Sequence, residues 1–327
     1  MKQYGYYPGC SLERNASAYD KSTRAIAPAL GLTFNEIDDW NCCGATEYIS
    51  LEKLPAYALV GRNLALAAEQ ADNGHQLVAP CSACFLNLRK ADRYLRDSPV
   101  MARQINEALA AGGLHYEPGS IKVRHLLEII VDDIGYEAVA EQVQAPLTGL
   151  RVAPYYGCLI VRPAFDGQFD DMEYPTTLDR LMSTLGAQVV DYPVKAHCCG
   201  GHMTQISEPT ALELIRRLLK SAADYEADVI TTLCPMCQLN LDAYQDAVNA
   251  YFGTDYQIPV LYFTQLMGLA FGLSPEEVGI GQELVDARPA LAHIGAVEEE
   301  APAARRRPSR KKEEGLPMPV MPEEKTR

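Results

Sequence analysis

Residues 76–88, QLVAPCSACFLNL, and residues 228–241, DVITTLCPMCQLNL, decide how this chain is read. Each is a short apolar run, then Cys-x-x-Cys, then a segment whose apolar residues return at helical spacing. Runs of this kind are expected of buried parallel strands, here at 76–79 and 228–232, and the stretches 85–95 and 238–250 read as helices. Helical patterns also precede the two runs, at 54–71 and 209–225. Strand, cysteine turn and helix, joined by crossover helices, predict an α/β fold.

Working outward from the two stretches, the rest of the cysteines fall into the same order twice. YGYYPGC ends at Cys10 and VAPYYGC at Cys158; Cys42-Cys43-Gly44 is matched by Cys198-Cys199-Gly200; and Cys81/Cys84 is matched by Cys234/Cys237. Five cysteines per half account for all ten. The expectation is a gene duplication: two tandem, pseudo-two-fold-related domains over 1–147 and 148–296, each a short parallel-type sheet flanked by helices. Residues 297–327 carry blocks of like charge and several prolines with few branched apolar residues, so they are expected to form a disordered charged tail.

Composition sets the class. The chain has 327 residues, 48% hydrophobic and 22% charged, values of a globular protein with room for two domains. Its ten cysteines are about 3% of the chain, well below the ~8–10% of a disulfide-stapled secreted scaffold. The opening residues MKQYGYYPGCSL lack an apolar signal core, so a cytoplasmic location with reduced thiols is expected. A net charge of −14 excludes nucleic acid as the main partner. The uncharged run 256–275 is broken by proline and glycines and is expected to be a core strand followed by a helix, not a transmembrane segment.

The chemistry follows from the cysteine pattern. Strand-to-helix junctions expose helix N–H groups that stabilise thiolates, and Cys-x-x-Cys serves zinc, redox and iron–sulfur chemistry alike. Side chains adjacent on extended backbone point to opposite faces, so Cys42 and Cys43 are poorly placed to share one tetrahedral ion. Five thiols per half also exceed the four of a zinc site or an ordinary cubane. A thioredoxin-like dithiol would leave six cysteines over, and purely structural cysteines would leave the order unexplained. Iron–sulfur clusters fit best.

The double pattern Cys10-x31-Cys42-Cys43-x37-Cys81-x2-Cys84 and Cys158-x39-Cys198-Cys199-x34-Cys234-x2-Cys237 resembles the duplicated cysteine-rich CCG domains of the B subunits of heterodisulfide reductases, over about residues 3 to 273. Pro8-Gly9, Trp40-Asn41, Gly44 and Gly200-Gly201 match as neighbours. The resemblance implies that each set of five cysteines holds a non-cubane [4Fe-4S] cluster, with Cys10, Cys42, Cys43, Cys81 and Cys84 at the first and Cys158, Cys198, Cys199, Cys234 and Cys237 at the second. It implies an oxidoreductase acting on sulfur groups, reducing or reversibly forming a small disulfide between two facing clusters. It also implies partners, a ferredoxin-like iron–sulfur subunit and a flavin-containing subunit, since no dinucleotide fingerprint stands in the chain. The alternative is an electron-transfer or membrane-docking CCG subunit of a succinate dehydrogenase or fumarate reductase-like complex. Lys195, His197 and His202 flank the second vicinal pair, and Lys195 and His202 are the candidate proton donors. His75, His115, His125 and His293 read as structural.

Overall fold

The computed structural model describes residues 1–45, 48–71, 75–164 and 169–295; the expected charged tail lies outside the described residues. Eight short strands form two four-stranded sheets, all parallel. The first sheet contains β1 (Lys2–Tyr6), β2 (Leu32–Glu36), β3 (Gln76–Ala79) and β4 (Lys122–His125) in the order β2-β1-β3-β4. The second contains β5 (Arg151–Tyr155), β6 (Gln188–Val189), β7 (Val229–Thr232) and β8 (Val260–Tyr262) in the matching order β6-β5-β7-β8. Leu77 and Val78 of β3 and all four residues of β7 are buried, as both-face coverage by helices requires. This is the α/β architecture with two equivalent sheets that the sequence predicts.

The strand order places a switch point between β1 and β3, and between β5 and β7. In each sheet the chain leaves the first strand toward one edge and then crosses to the other side. Crevices for ligands open at the carboxyl ends of strands at such points. The Cys-x-x-Cys turns follow β3 and β7, while Cys10 and Cys158 follow β1 and β5, so the switch points are also where the cysteines converge.

The helices fall close to their expected positions: Lys53–Gln70, Ser82–Asp97 and Glu208–Asp224. The region 238–250 differs, being two helices, Pro235–Ala243 and Gln245–Phe252, with a break at Tyr244. The buried Gln245 causes it: its Nε2 donates to Leu241 O at 2.8 Å and to Ile258 O at 2.7 Å, tying the break to the approach of β8. The uncharged run forms β8 and the helix Phe263–Ala270. Both are buried, and no helix among the described residues is long and apolar enough to cross a membrane.

One continuous apolar core runs through both halves. At the seam between them, the helix Ser17–Ile26 lies against Phe263–Ala270. The ring of Tyr19 stacks on Tyr262 with centroids 4.3 Å apart and 5° between planes, and meets Phe263 edge-on at 6.0 Å. Ser22 Oγ and Thr264 Oγ1 share a buried hydrogen bond of 2.6 Å.

Candidate functional site

Each Cys-x-x-Cys is built the same way. Cys81 caps the amino end of Ser82–Asp97 with extended backbone, and Cys84 lies in the helix's first turn; Cys234 and Cys237 repeat this on Pro235–Ala243. Both turns therefore present thiols where the helix leaves its first N–H groups open. The vicinal pairs sit on the loops after β2 and β6. There Cys42 and Cys198 are exposed while Cys43 and Cys199 are buried, the opposite-facing arrangement expected of neighbours on extended backbone.

Three paired contacts hold each vicinal pair in place. Tyr7 donates its hydroxyl to Asn41 O at 2.7 Å, just before the first pair, and Tyr155 donates to His197 O at 2.8 Å, just before the second. Asn87 Nδ2 donates to Cys43 O at 3.1 Å, and Asn240 Nδ2 to Cys199 O at 3.2 Å. Gly44 N and Gly200 N point at the sulfurs of Cys42 and Cys198, at 3.5 and 3.3 Å. The tyrosines and asparagines are functional positions that the cysteine pattern alone passes over. Their signal is the repetition: Tyr stands three residues before Cys10 and Cys158, and Asn three residues after Cys84 and Cys237.

Glycine is required beside both sets. Gly9 and Gly157 adopt positive φ, +73° and +69°, and a methyl group on either would lie 2.8 Å from the sulfur of Cys84 or 2.9 Å from that of Cys237. The chain thus leaves space against the last thiol of each set that any side chain would fill.

All ten thiols are free and form one file. Cys10 and Cys42 are 3.6 Å apart and Cys43 and Cys84 3.3 Å apart. The thiols of Cys42 and Cys43, and those of Cys84 and Cys81, also lie close enough to perturb each other. The second half repeats the order from Cys158 through Cys198, Cys199 and Cys237 to Cys234. The thiols of Cys81 and Cys234 lie close enough to perturb each other, so the two files approach each other across the seam. Hydrogen bonds from their neighbours hold the thiols of Cys42 and Cys198 far below the ordinary cysteine range. The thiols giving those bonds, Cys10 and Cys158, are pushed up by the same contacts and by burial.

Among the described residues, no group of three or more Cys, His, Asp or Glu closes around a single metal ion. An extended file of soft donors with room left by Gly9 and Gly157 does not suit one tetrahedral ion, but it does suit a cluster whose metals are spread out.

A pocket of about 380 Å³ reaches this file. Its floor is the five second-half cysteines, and one wall is a face of the helix Ser82–Asp97 carrying Ser82, Leu86, Asn87 and Lys90. His202 lines it as well. Lys195 does not: it is fully buried, its Nζ 2.9 Å from Asp179 Oδ1 and 3.8 Å over the Tyr174 ring. His197 is exposed and borders a separate hollow with Arg162 and Arg217. Cys10 and Cys42 open on a third hollow lined by Glu13, Glu36, Asp38 and Asp39.

His125 stands closer to the file than its sequence context suggests. It is fully buried, with Nδ1 accepting from Leu127 N at 3.1 Å. The other side of the ring bonds the carbonyls of Pro80 and Leu233, the residues preceding Cys81 and Cys234. Ser82 Oγ lies 3.5 Å from His125 Nε2 and donates to Leu233 O at 3.3 Å. One imidazole thus touches both Cys-x-x-Cys turns.

Comparison with known proteins agrees with the duplicated geometry. The family model described as "Cysteine-rich domain" (CCG) matches twice, at residues 4–89 and 152–242. The chain is 35% identical to the 8-methylmenaquinol:fumarate reductase membrane anchor subunit of Wolinella succinogenes, over 88% of this chain and 98% of that one. It is 32% identical to the B subunit of the ferredoxin/F420H2-dependent CoB-CoM heterodisulfide reductase of Methanosarcina acetivorans, over 90% of this chain and 97% of that one. A protein of Archaeoglobus profundus described as like the heterodisulfide reductase B subunit is 30% identical, over 85% and 93%. Among solved structures, a hypothetical protein from Helicobacter pylori shares the fold, with a TM-score of 0.68 at 15% identity, over 87% of this chain and 52% of that one, so this chain spans about half of its length.

Proposed function

This chain belongs to the family of CCG cysteine-rich domain proteins, and from that premise we propose that it is the iron–sulfur subunit of a heterodisulfide reductase-like complex that reduces, or reversibly forms, a small disulfide. The observation that carries the reading is the unbroken file of ten free thiols meeting at Cys81 and Cys234. In it, Cys10, Cys42, Cys43, Cys81 and Cys84 hold one [4Fe-4S] cluster and Cys158, Cys198, Cys199, Cys234 and Cys237 the other, both of non-cubane type, in the two domains 1–147 and 148–296.

Cleaving a disulfide into two thiols consumes two electrons and two protons. When bound, the clusters supply the electrons, delivered from a ferredoxin-like subunit and a flavin-containing subunit of the same complex. The chain's own residues hold the thiolates in register. Asn87 and Asn240 fix the carbonyls of the buried vicinal cysteines, Tyr7 and Tyr155 fix the residues before each pair, and the seam keeps the two turns together. Of the two proton-donor candidates, His202 stands at the pocket and is the one we retain, while Lys195 is held in its pair with Asp179.

A second reading is favoured by the 35% identity to a fumarate reductase membrane anchor subunit: an electron-transfer or membrane-docking CCG subunit of a succinate dehydrogenase or fumarate reductase-like complex. Anaerobic purification with quantitation of iron, sulfide and zinc tests the shared premise. The expected result is a brown protein with about eight iron and eight sulfide per chain, and a colourless protein with stoichiometric zinc refutes it. Disulfide reductase activity of the loaded chain, with a reduced viologen as donor, separates the two readings.

A further inference from the structure

The repeat gives both thiol sets the same ligands but not the same charged surroundings. Cys10 and Cys42 stand in the first half where Cys158 and Cys198 stand in the second, and each pair borders its own hollow. Among the described residues, the charged side chains lining the first are all carboxylates, Glu13, Glu36, Asp38 and Asp39. Those lining the second are Arg162 and Arg217, with His197 beside them.

Pairing does not cancel the contrast. Arg24 and Arg62 answer Glu36 and Asp39, but Glu13 and Asp38 have no ion-pair partner among the described residues. In the second hollow Arg162 faces Glu173 at 3.4 Å, while Glu213 is shared by Arg216 and Arg217 at 2.7 and 2.9 Å, so positive charge is left over. Arg14 follows Cys10 by four positions, as Arg162 follows Cys158, yet it is exposed and does not line the first hollow.

Neutral donors add to the difference. Asn240 Nδ2 lies 3.6 Å from Cys199 Sγ, whereas Asn87 meets Cys43 only at its carbonyl among the described residues. Gly200 N is also nearer its sulfur than Gly44 N is, at 3.3 against 3.5 Å. Burial works the other way at one ligand, Cys158 being half-buried where Cys10 is exposed. That is one thiol in a set, against a reversal of charge around both outer thiols.

Reducing an iron–sulfur site adds one negative charge, which carboxylates oppose and which guanidinium groups and N–H groups aimed at sulfur favour. We propose that the two thiol sets hold their clusters at different reduction potentials, with Glu13, Glu36, Asp38 and Asp39 keeping the first-half site low and Arg162, Arg217 and Asn240 keeping the second-half site high. This rests on the two-cluster premise shared by both readings above. One electron delivered by the ferredoxin-like subunit to the first half passes to the second; the one is oxidised as the other is reduced, and no bond or proton moves. The first half keeps the next electron only once the second is filled, so two deliveries leave both sites reduced.

Potentiometric titration of the loaded full-length chain, followed by absorbance and EPR, tests this. Two one-electron waves are expected at low salt, separated by at least about tenfold in the reduction equilibrium, about 59 mV for one electron. The gap should narrow in about 1 M salt, since exposed charges are screened. Glu13→Gln combined with Asp38→Asn removes two exposed carboxylates and should raise the lower wave alone, by roughly two- to threefold per charge, with iron content unchanged. Arg217→Gln should lower the upper wave alone by a similar factor. The half-loaded variants assign the waves: Cys84→Ser, which keeps the second-half set, should show the upper one and Cys237→Ser the lower. A single wave for both sites, the opposite assignment, or waves unmoved by the charge substitutions would each overturn the proposal while leaving two clusters in place. A chain that takes up no iron overturns both.

Discussion

Gly157 shows how a single residue sets the ligand geometry. Its φ of +69°, and the 2.9 Å that would separate an added methyl group from Cys237 Sγ, leave two penalties for any side chain. The left-handed backbone costs an L-residue roughly 1–2 kcal/mol, and the methyl group must displace the sulfur. Gly157→Ala should therefore lower iron content by up to half, with secondary structure by circular dichroism retained; full loading would show that Cys237 is not a ligand. The Tyr-Gly-Cys match between the halves was visible in the sequence. The reason for glycine was not, because Cys237 comes from 80 positions along the chain. Lys195 is the opposite case: two positions from His197 and three from Cys198, yet its side chain is spent on Asp179.

At the scale of elements, β4 ends in His125, whose ring spans the turns after β3 and β7. Burial pushes its pKa down from 6.5 to about 4, against the opposing charge of Cys234 and the hydrogen bonds to the Pro80 and Leu233 carbonyls. The folded chain thus keeps the ring neutral at pH values where the unfolded chain protonates it. The stabilisation is complete above about pH 6.5 and is lost as pH falls toward 4, on the order of 3 kcal/mol across that window. Urea unfolding of loaded wild type and His125→Gln between pH 7 and 4.5 should show a shallower decline for the variant; parallel curves would place the proton elsewhere. Elements themselves were legible in the sequence wherever local pattern decides them: β3 at 76–79 is found where its apolar run lies, and Lys53–Gln70 where its periodicity does. The break at Tyr244 was not legible, since Gln245 reaches the carbonyl of Ile258, just before β8. Nor was His125 as a site residue, for the same reason of distance.

Among the described residues the same sheet order is built twice, and each copy carries five thiols. Substituting one ligand in one half, Cys84→Ser or Cys237→Ser, replaces a soft thiolate by a poor one at that set only. Each variant should retain about half of the wild-type iron by metal analysis, and neither should reduce a disulfide at an appreciable rate if the bond is split between the two clusters, since either loss leaves one side of it without a partner. Near wild-type reductase activity in either would make the two sets independent and leave the electron-transfer reading ahead. The duplication, the ten cysteines and their order could be read from spacing alone; the asymmetry of the surroundings could not, because Arg217 and the four acidic residues near Cys42 lie outside the repeated motif.

The file of sulfurs also governs what happens to the chain in air. Cys42 and Cys198 are the exposed members of the vicinal pairs, each with a thiol partner on either side that pulls its pKa down. A sulfenic acid formed at either condenses with its neighbour, and exchange can pass the resulting bond from sulfur to sulfur. Oxidation begun at one surface cysteine thereby takes two thiols out of its ligand set at once.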